Sequence, residues 1–144
     1  MKTVYSLLEE LRCNPERVKA TQARTLDNRN LPGGLKGTYG LFGSPEWWRN
    51  IELNVIPVTR LSGVVTKIYH EGMRNEGKGF EMEVFDGSTF RYGCVANEFC
   101  NMKYYKVGKK IIFEYSTEPL KNPIETPNGY EMKMNITLKV ELEA

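Results

Sequence analysis

The clearest pattern along the chain is a period of two near its C-terminal end. From Tyr130 to Leu142 every second residue is apolar, and every residue between them is polar or charged. Side chains of a β-strand point alternately to its two faces, so this period is that of a strand with one face on a core. The pattern therefore predicts a long strand over 130–142 with one buried face.

A second alternation predicts a β-hairpin. Phe80-Glu81-Met82-Glu83-Val84 alternates apolar and acidic residues, and Phe90-Arg91-Tyr92 resumes a strand pattern. Between them lies Asp86-Gly87, a dipeptide typical of tight hairpin turns because glycine adopts a positive φ without steric cost. We expect two antiparallel strands joined at this turn.

Two other segments have the β-branched composition of strands. Residues 51–70 are rich in Ile, Val and Thr but contain Pro57 and Gly63, which predicts a long strand with an edge or bulged section. Residues 110–115 predict a shorter strand.

Loops are predicted at 71–79, which is rich in glycine and charge, and at 117–129. The second loop is indicated by three prolines and a turn dipeptide: Pro119, Pro123, Pro127 and Asn128-Gly129. Leu31-Pro32-Gly33-Gly34 is a further turn signal.

Helices are predicted mainly before residue 50. The first has apolar residues at helical spacing: Val4, Leu7, Leu8 and Leu11. Asn14-Pro15-Glu16 supplies the cap, proline and acid that start a second helix, through about Gln22. Ser44-Pro45-Glu46 repeats these start signals and predicts one turn that carries both tryptophans. A short helix over 97–105 is also expected.

The order of elements after residue 50 predicts a mainly β fold. Four strands, a helix before the fourth, and a final strand match a five-stranded Greek-key β-barrel of the OB type, in which a small helix lies between strands 3 and 4. An SH3-like barrel or an open sheet with a helix on it also fits this order. We expect residues 1–50 to be a helical, glycine-rich extension packed on the barrel, and residues 51–144 to be the barrel domain.

Composition narrows the classes of function. A chain of 144 residues with 40% hydrophobic content fits one soluble domain. No apolar run is long enough for a membrane span, and Glu9 and Glu10 interrupt any signal peptide, so we expect a cytoplasmic protein with no membrane partner. Three cysteines at unrelated spacings indicate reduced thiols. The single histidine, His70, excludes a His-rich metal site, and no cofactor motif is present.

Basic and aromatic residues are interleaved between Lys103 and Lys110, a composition that suits phosphates and stackable bases. The leading hypothesis is therefore a non-catalytic module that binds nucleic acid, single-stranded DNA or RNA, through the OB-like barrel. The predicted binding residues are Lys103, Tyr104, Tyr105, Lys106, Lys109, Lys110, Arg91, Trp47 and Trp48. A solvated helix end explains the lysines equally simply.

Two alternatives remain open. One is a protein–protein interaction module, an inhibitor or assembly subunit, that uses the glycine- and tryptophan-rich arm over 33–50 as its contact. A homo-oligomer is compatible with it. The other is a small enzyme built on His70 with Cys94 or Cys100, and the sequence gives no reason to expect these side chains to meet. We therefore expect no catalytic residues.

Overall fold

The structure, a computed structural model, describes residues 1–29, 33–71, 77–127 and 129–144, without the side chain of Glu71. The turn expected at Leu31-Pro32, the centre of the loop expected over 71–79 and Asn128 lie outside these residues. The fold is mainly β, with 49% strand and 25% helix, as the alternating patterns predict.

The described residues form seven strands, three α-helices and one short 3₁₀ helix. The strands are β1 (Lys2–Ser6), β2 (Gly33–Leu35), β3 (Val58–Glu71), β4 (Gly77–Val84), β5 (Thr89–Gly93), β6 (Lys110–Thr126) and β7 (Gly129–Leu142). The helices are α1 (Leu7–Cys13), α2 (Pro15–Leu26), α3 (Pro45–Glu52) and the 3₁₀ helix Phe99–Tyr104.

The strands form an open sheet in the order β1-β7-β6-β3-β4-β5, with β2 paired to β6. The expected five-stranded barrel of the OB type is therefore not what the described strands form. The two additional strands, β1 and β2, come from the segment expected to be a helical extension. The small helix expected between the third and fourth barrel strands is present as the 3₁₀ helix.

Contacts within the chain define two compact units. Unit 1 contains Met1–Glu10, Arg60–Glu114 and Thr137–Ala144, and unit 2 contains Leu11–Thr59 and Tyr115–Ile136. Each unit combines segments from before and after residue 50, the boundary expected from the sequence.

Unit 1 has an aromatic core on the predicted hairpin. Phe80 and Phe113 are fully buried, with ring centroids 5.8 Å apart. β4 pairs with β5 in the register Glu83↔Thr89, and Gly87 has a φ of +92° in the turn between them. The hairpin and its turn are therefore confirmed.

The first residues of the chain form a strand, not the start of the predicted helix. β1 pairs with the end of β7, with Lys2 opposite Leu142, and Val4 is buried. Asn97 holds the end of β1, because the Ser6 N–H donates to Asn97 Oδ1 at 2.7 Å and Asn97 Nδ2 donates to the Ser6 carbonyl at 3.0 Å. Of the segment predicted to be helical, only the residues from Leu7 onwards form a helix, α1.

The strand predicted over 51–70 begins later, at Val58, because residues 45–52 form α3. The Ser44 side chain caps this helix by accepting the N–H of Trp47 at 3.2 Å, as expected, although α3 is eight residues long rather than one turn. Gly63 is not at the register shift of β3, which lies between Val65 and Lys67. A Cβ on Gly63 would lie 2.1 Å from the Glu83 carbonyl oxygen, so the glycine permits a close approach of two strands.

In unit 2 the loop expected over 117–129 is wrong, since β6 continues as a strand to Thr126. Proline lacks a donor but keeps its carbonyl, and the Pro119 oxygen accepts the N–H of Lys36 at 3.0 Å. The N–H and C=O of one strand residue point the same way, so the donor missing at Pro119 would point towards the three-residue strand β2 and away from β7. The pairing of β6 with β7 therefore does not need it.

Candidate protein-binding surface

An exposed row of apolar side chains lies along the first half of β7, in unit 2. The row consists of Tyr130, Met132 and Met134, and we call it the apolar stripe. These side chains are 71%, 56% and 40% exposed. They lie on one face of the strand, because alternate residues of a strand point to the same side. Among the residues that the structure describes, no other strand presents three exposed apolar side chains in alternation.

The alternation that predicts a buried face continues without a break along β7. Its second half has the expected apolar face on the core, because Ile136, Val140 and Leu142 are buried and Leu138 is half-buried, and Thr137 on the other face is buried as well. Its first half does not, since every residue over 129–135 is exposed. The expectation of a buried face is therefore wrong for the apolar stripe, which is apolar without being core.

The stripe is held by the hairpin of β6 and β7. At one end the Thr126 hydroxyl donates to the Gly129 carbonyl at 2.8 Å, and at the other the Thr117 hydroxyl donates to Asn135 Oδ1 at 3.2 Å. The neighbouring strand β6 is anchored by Leu120, which is buried. Pairing with β6 fixes the backbone conformation of β7, and so the positions from which the stripe side chains project.

On the side away from β6, no described strand pairs with β7 over the same residues. The strand order gives β7 two neighbours, β6 and β1, and β1 pairs only with residues 139–142. We call residues 129–135 the open edge, because no described strand pairs with them on the side away from β6. Glu131 and Lys133, both exposed, alternate with the stripe along this edge.

The glycine- and tryptophan-rich arm over 33–50, by contrast, packs within unit 2. Gly43 has a φ of +75°, and a Cβ there would meet Val18 and Leu11 at 3.3–3.4 Å. Phe42 is buried, and its ring meets that of Trp47 edge-on with centroids 5.1 Å apart. The arm thus contributes Phe42 and Trp47 to the interior of unit 2, while five of its residues are exposed: Lys36, Thr38, Pro45, Glu46 and Arg49.

Trp47 and Trp48 differ in burial but touch each other. Trp47 is fully buried, whereas Trp48 is half-buried, and their rings meet edge to face with centroids 4.8 Å apart. The Trp47 indole N–H donates to the carboxylate of Glu118. A fully buried ring cannot stack on a base, so Trp47 has no place in the predicted nucleic-acid site.

Glu118 and Ser116 place polar groups in the interior of unit 2. Glu118 is 3% exposed, and burial raises the pKa of its carboxyl group, while the hydrogen bond from Trp47 acts in the opposite direction. Ser116 Oγ is buried and has no hydrogen-bond partner among the described residues. Unit 2 thus buries polar groups on β6 and exposes apolar groups on β7.

The remaining predicted binding residues belong to unit 1, and one of them is core. Tyr105 is buried, its hydroxyl donates to the Val95 carbonyl at 2.7 Å, and burial raises its pKa. Arg91 is exposed but occupied, since it donates to Glu81 at 2.7 Å and its guanidinium lies over the Tyr69 ring.

The lysines of the predicted site lie at the surface. Lys103, Lys106 and Lys110 are exposed, while Lys109 is half-buried and donates to the Ala144 carbonyl at 3.4 Å. Tyr104 is half-buried, with Lys103 and Lys2 both over its ring. These residues form a solvated basic patch.

The sheet separates the residues of the enzyme alternative. Lys78 lies opposite His70, and its carbonyl accepts the N–H of Cys94 at 2.8 Å. One strand therefore lies between His70 and Cys94, which places their backbones ~10 Å apart. Across the described ranges, no group of three His, Cys, Asp or Glu residues could hold a metal ion.

No described helix is long and apolar enough to cross a membrane.

Comparison with known families decides between the hypotheses. Residues 1–142 match the model of a family described as Immunity protein RhsI2. The chain belongs to this family. No curated protein matches it significantly. RhsI2 proteins are inhibitors that act on another protein, not enzymes.

The membership corrects the leading hypothesis. The partner of an RhsI2 family member is a protein, so the prediction of a module for single-stranded nucleic acid is wrong, and the protein-interaction alternative is the better one. The sequence analysis also missed the apolar stripe. Its signal was present as alternation, but alternation alone does not distinguish a face that meets the core from a face that meets a partner.

Proposed function

We propose that the protein is an immunity protein that binds and neutralises its cognate Rhs toxin, and that the apolar stripe is a main contact. Membership of the RhsI2 family supports the protein partner. The observation that supports the surface is the exposure of Tyr130, Met132 and Met134 on one face of one strand.

The residue types of the stripe suit this role. Tyrosine and methionine are enriched in protein interfaces, tyrosine because a rigid ring buries much area at low entropic cost, and methionine because its flexible thioether adapts to irregular surfaces. A soluble protein gains nothing from exposing such a row unless it is covered part of the time. Binding a toxin would cover it.

The experiment measures binding of a catalytically inactive toxin domain by isothermal titration calorimetry. Tyr130→Ala and Met132→Ala remove stripe side chains without touching the core, so both variants should keep the unfolding midpoint of the wild type. If the stripe is the centre of the interface, each should weaken binding about 30-fold, the effect of losing a 2 kcal/mol contact. Growth of cells that produce the active toxin should fall in the same order.

Phe99→Ala is the matched control. Phe99 is 90% exposed and belongs to unit 1. The variant therefore removes an exposed apolar side chain of comparable size at a surface outside the apolar stripe. Its affinity should equal that of the wild type. Wild-type affinity in both stripe variants would show that the toxin binds elsewhere, and no binding by the wild-type protein would refute the function itself.

A further inference from the structure

The open edge is able to pair with another strand. Over residues 129–135 both rows of side chains are exposed, and no described strand uses the backbone N–H and C=O groups on the side away from β6. Such an edge forms hydrogen bonds readily with any strand that reaches it. No proline interrupts it over these residues, and the register shift in the pairing with β1 lies in β1.

The charged side chains along the open edge indicate which chain supplies the pairing strand. Glu131 and Lys133 lie on either side of Met132. When two copies of this strand pair antiparallel about a twofold axis at Met132, each Glu131 lies directly opposite a Lys133 of the other copy. Opposite charges in directly opposed positions stabilise a strand pair, with Cβ atoms about 5 Å apart. We propose that a second copy of this chain occupies the open edge in this register.

Neighbouring registers are less favourable for a physical reason. An axis at position 131 would set two glutamates opposite each other, and an axis at position 133 would do the same for two lysines. An axis between two residues would pair the apolar row of one copy with the charged row of the other. Among registers near the centre of the edge, only the one at Met132 joins like faces and opposite charges.

The pairing extends beyond the proposed function. In this register Tyr130 lies opposite Met134 of the second copy, so the two apolar stripes become one continuous face of Tyr and Met side chains. That face stays open to solvent in the dimer and is available to a toxin. Dimer formation needs no toxin, so it is measured without one, and its failure leaves toxin binding untouched.

The first experiment is a charge-swap cycle followed by sedimentation equilibrium. Glu131→Lys and Lys133→Glu each place like charges opposite each other twice per dimer, and each should weaken dimerisation about tenfold or more. The double variant E131K/K133E restores opposite charges and should dimerise like the wild type. Glu125→Lys is the matched control, since Glu125 is exposed on β6 of the same hairpin, and it should leave dimerisation unchanged.

The second experiment tests the register. With Cys13 and Cys100 replaced by Ser, Met132→Cys should form a disulfide-linked dimer on mild oxidation, because a residue on the axis faces its own copy within disulfide range. Tyr130→Cys should not, since its two copies lie about 13 Å apart along the strands. A wild-type protein that stays monomeric, a double variant that fails to recover, or equal crosslinking at both positions would each overturn the proposal.

Discussion

The two halves of β7 carry the same alternating pattern but have opposite environments. Residues 136–142 include the buried Ile136, Val140 and Leu142, and residues 129–135 are all exposed. In the second half β1 pairs with residues 139–142, whereas the first half has β6 as its only described neighbour. Period two specifies a strand in both halves, and only the surrounding elements decide what covers the apolar face.

The difference separates stability from binding within one strand. Apolar side chains in the covered half contribute to folding, because their burial removes them from water. The same chemistry in the open half contributes nothing until a partner arrives. An apolar alternation that remains exposed in an otherwise well-packed protein is therefore evidence for an interface.

The largest expected effect is a loss of stability in the covered half. Leu142→Ala removes a fully buried side chain and should lower the free energy of unfolding by about 3 kcal/mol, because the cavity adds to the lost transfer energy. Met132→Ala, in the open half of the same strand, should change it by less than about 0.5 kcal/mol. Urea unfolding followed by circular dichroism measures both. Similar losses for the two variants would show that the stripe is covered within the monomer.

A smaller effect is expected on β6, where a polar residue is buried beside the exposed stripe. Burial raises the pKa of Glu118 above its ordinary value of 4.5, so the folded state holds this proton more tightly than the unfolded state. The contribution of Glu118 to stability is therefore greatest below pH 4.5 and declines as the pH rises towards the folded pKa.

Glu118→Gln isolates this contribution, because glutamine still accepts the Trp47 N–H but does not titrate. The variant should gain stability relative to the wild type as the pH rises above 4.5. Unfolding midpoints across the pH range measure the difference. Glu125→Gln, at an exposed position, should show no such trend, and parallel curves for wild type and Glu118→Gln would contradict the assignment.

The smallest effect is expected at Ser116, two residues before Glu118. Its buried hydroxyl has no partner among the described residues, so Ser116→Ala removes an unmet polar group and leaves little cavity. We expect stability to stay within about 0.5 kcal/mol of the wild type or to rise. A loss above 1 kcal/mol by differential scanning calorimetry would reveal a hydrogen bond to this hydroxyl.

Local chemistry was sufficient to predict several elements of the fold. The Asp86-Gly87 turn and the Ser44 cap depend on interactions within a few residues, and both were correct. β1 was missed because Lys2, Thr3, Tyr5 and Ser6 pair with β7, a contact between residues far apart in the sequence that outweighs local helical spacing. The continuation of β6 was missed because proline blocks only one side of a strand, and the sequence does not show which side is paired.

The candidate surface could be predicted only in part. Interleaved lysines and tyrosines suggested a ligand at 103–110, but a basic patch forms wherever lysines are exposed and does not specify its partner. Trp47 and Tyr105 were chosen for their rings, and the fold uses both rings as core. The residues of the stripe were visible as apolar positions, and their exposure depends on which strands end beside them.

The pairing of β1 with β7 also determines when this edge of the sheet can form. Lys2 reaches its partner Leu142 only after all the residues between them have been synthesised, and such distant pairings form slowly because a long loop must close first. β1 has no partner in β7 until then. The edge of β7 that β1 covers is therefore completed only after residues 139–142 have been synthesised and have paired with β1.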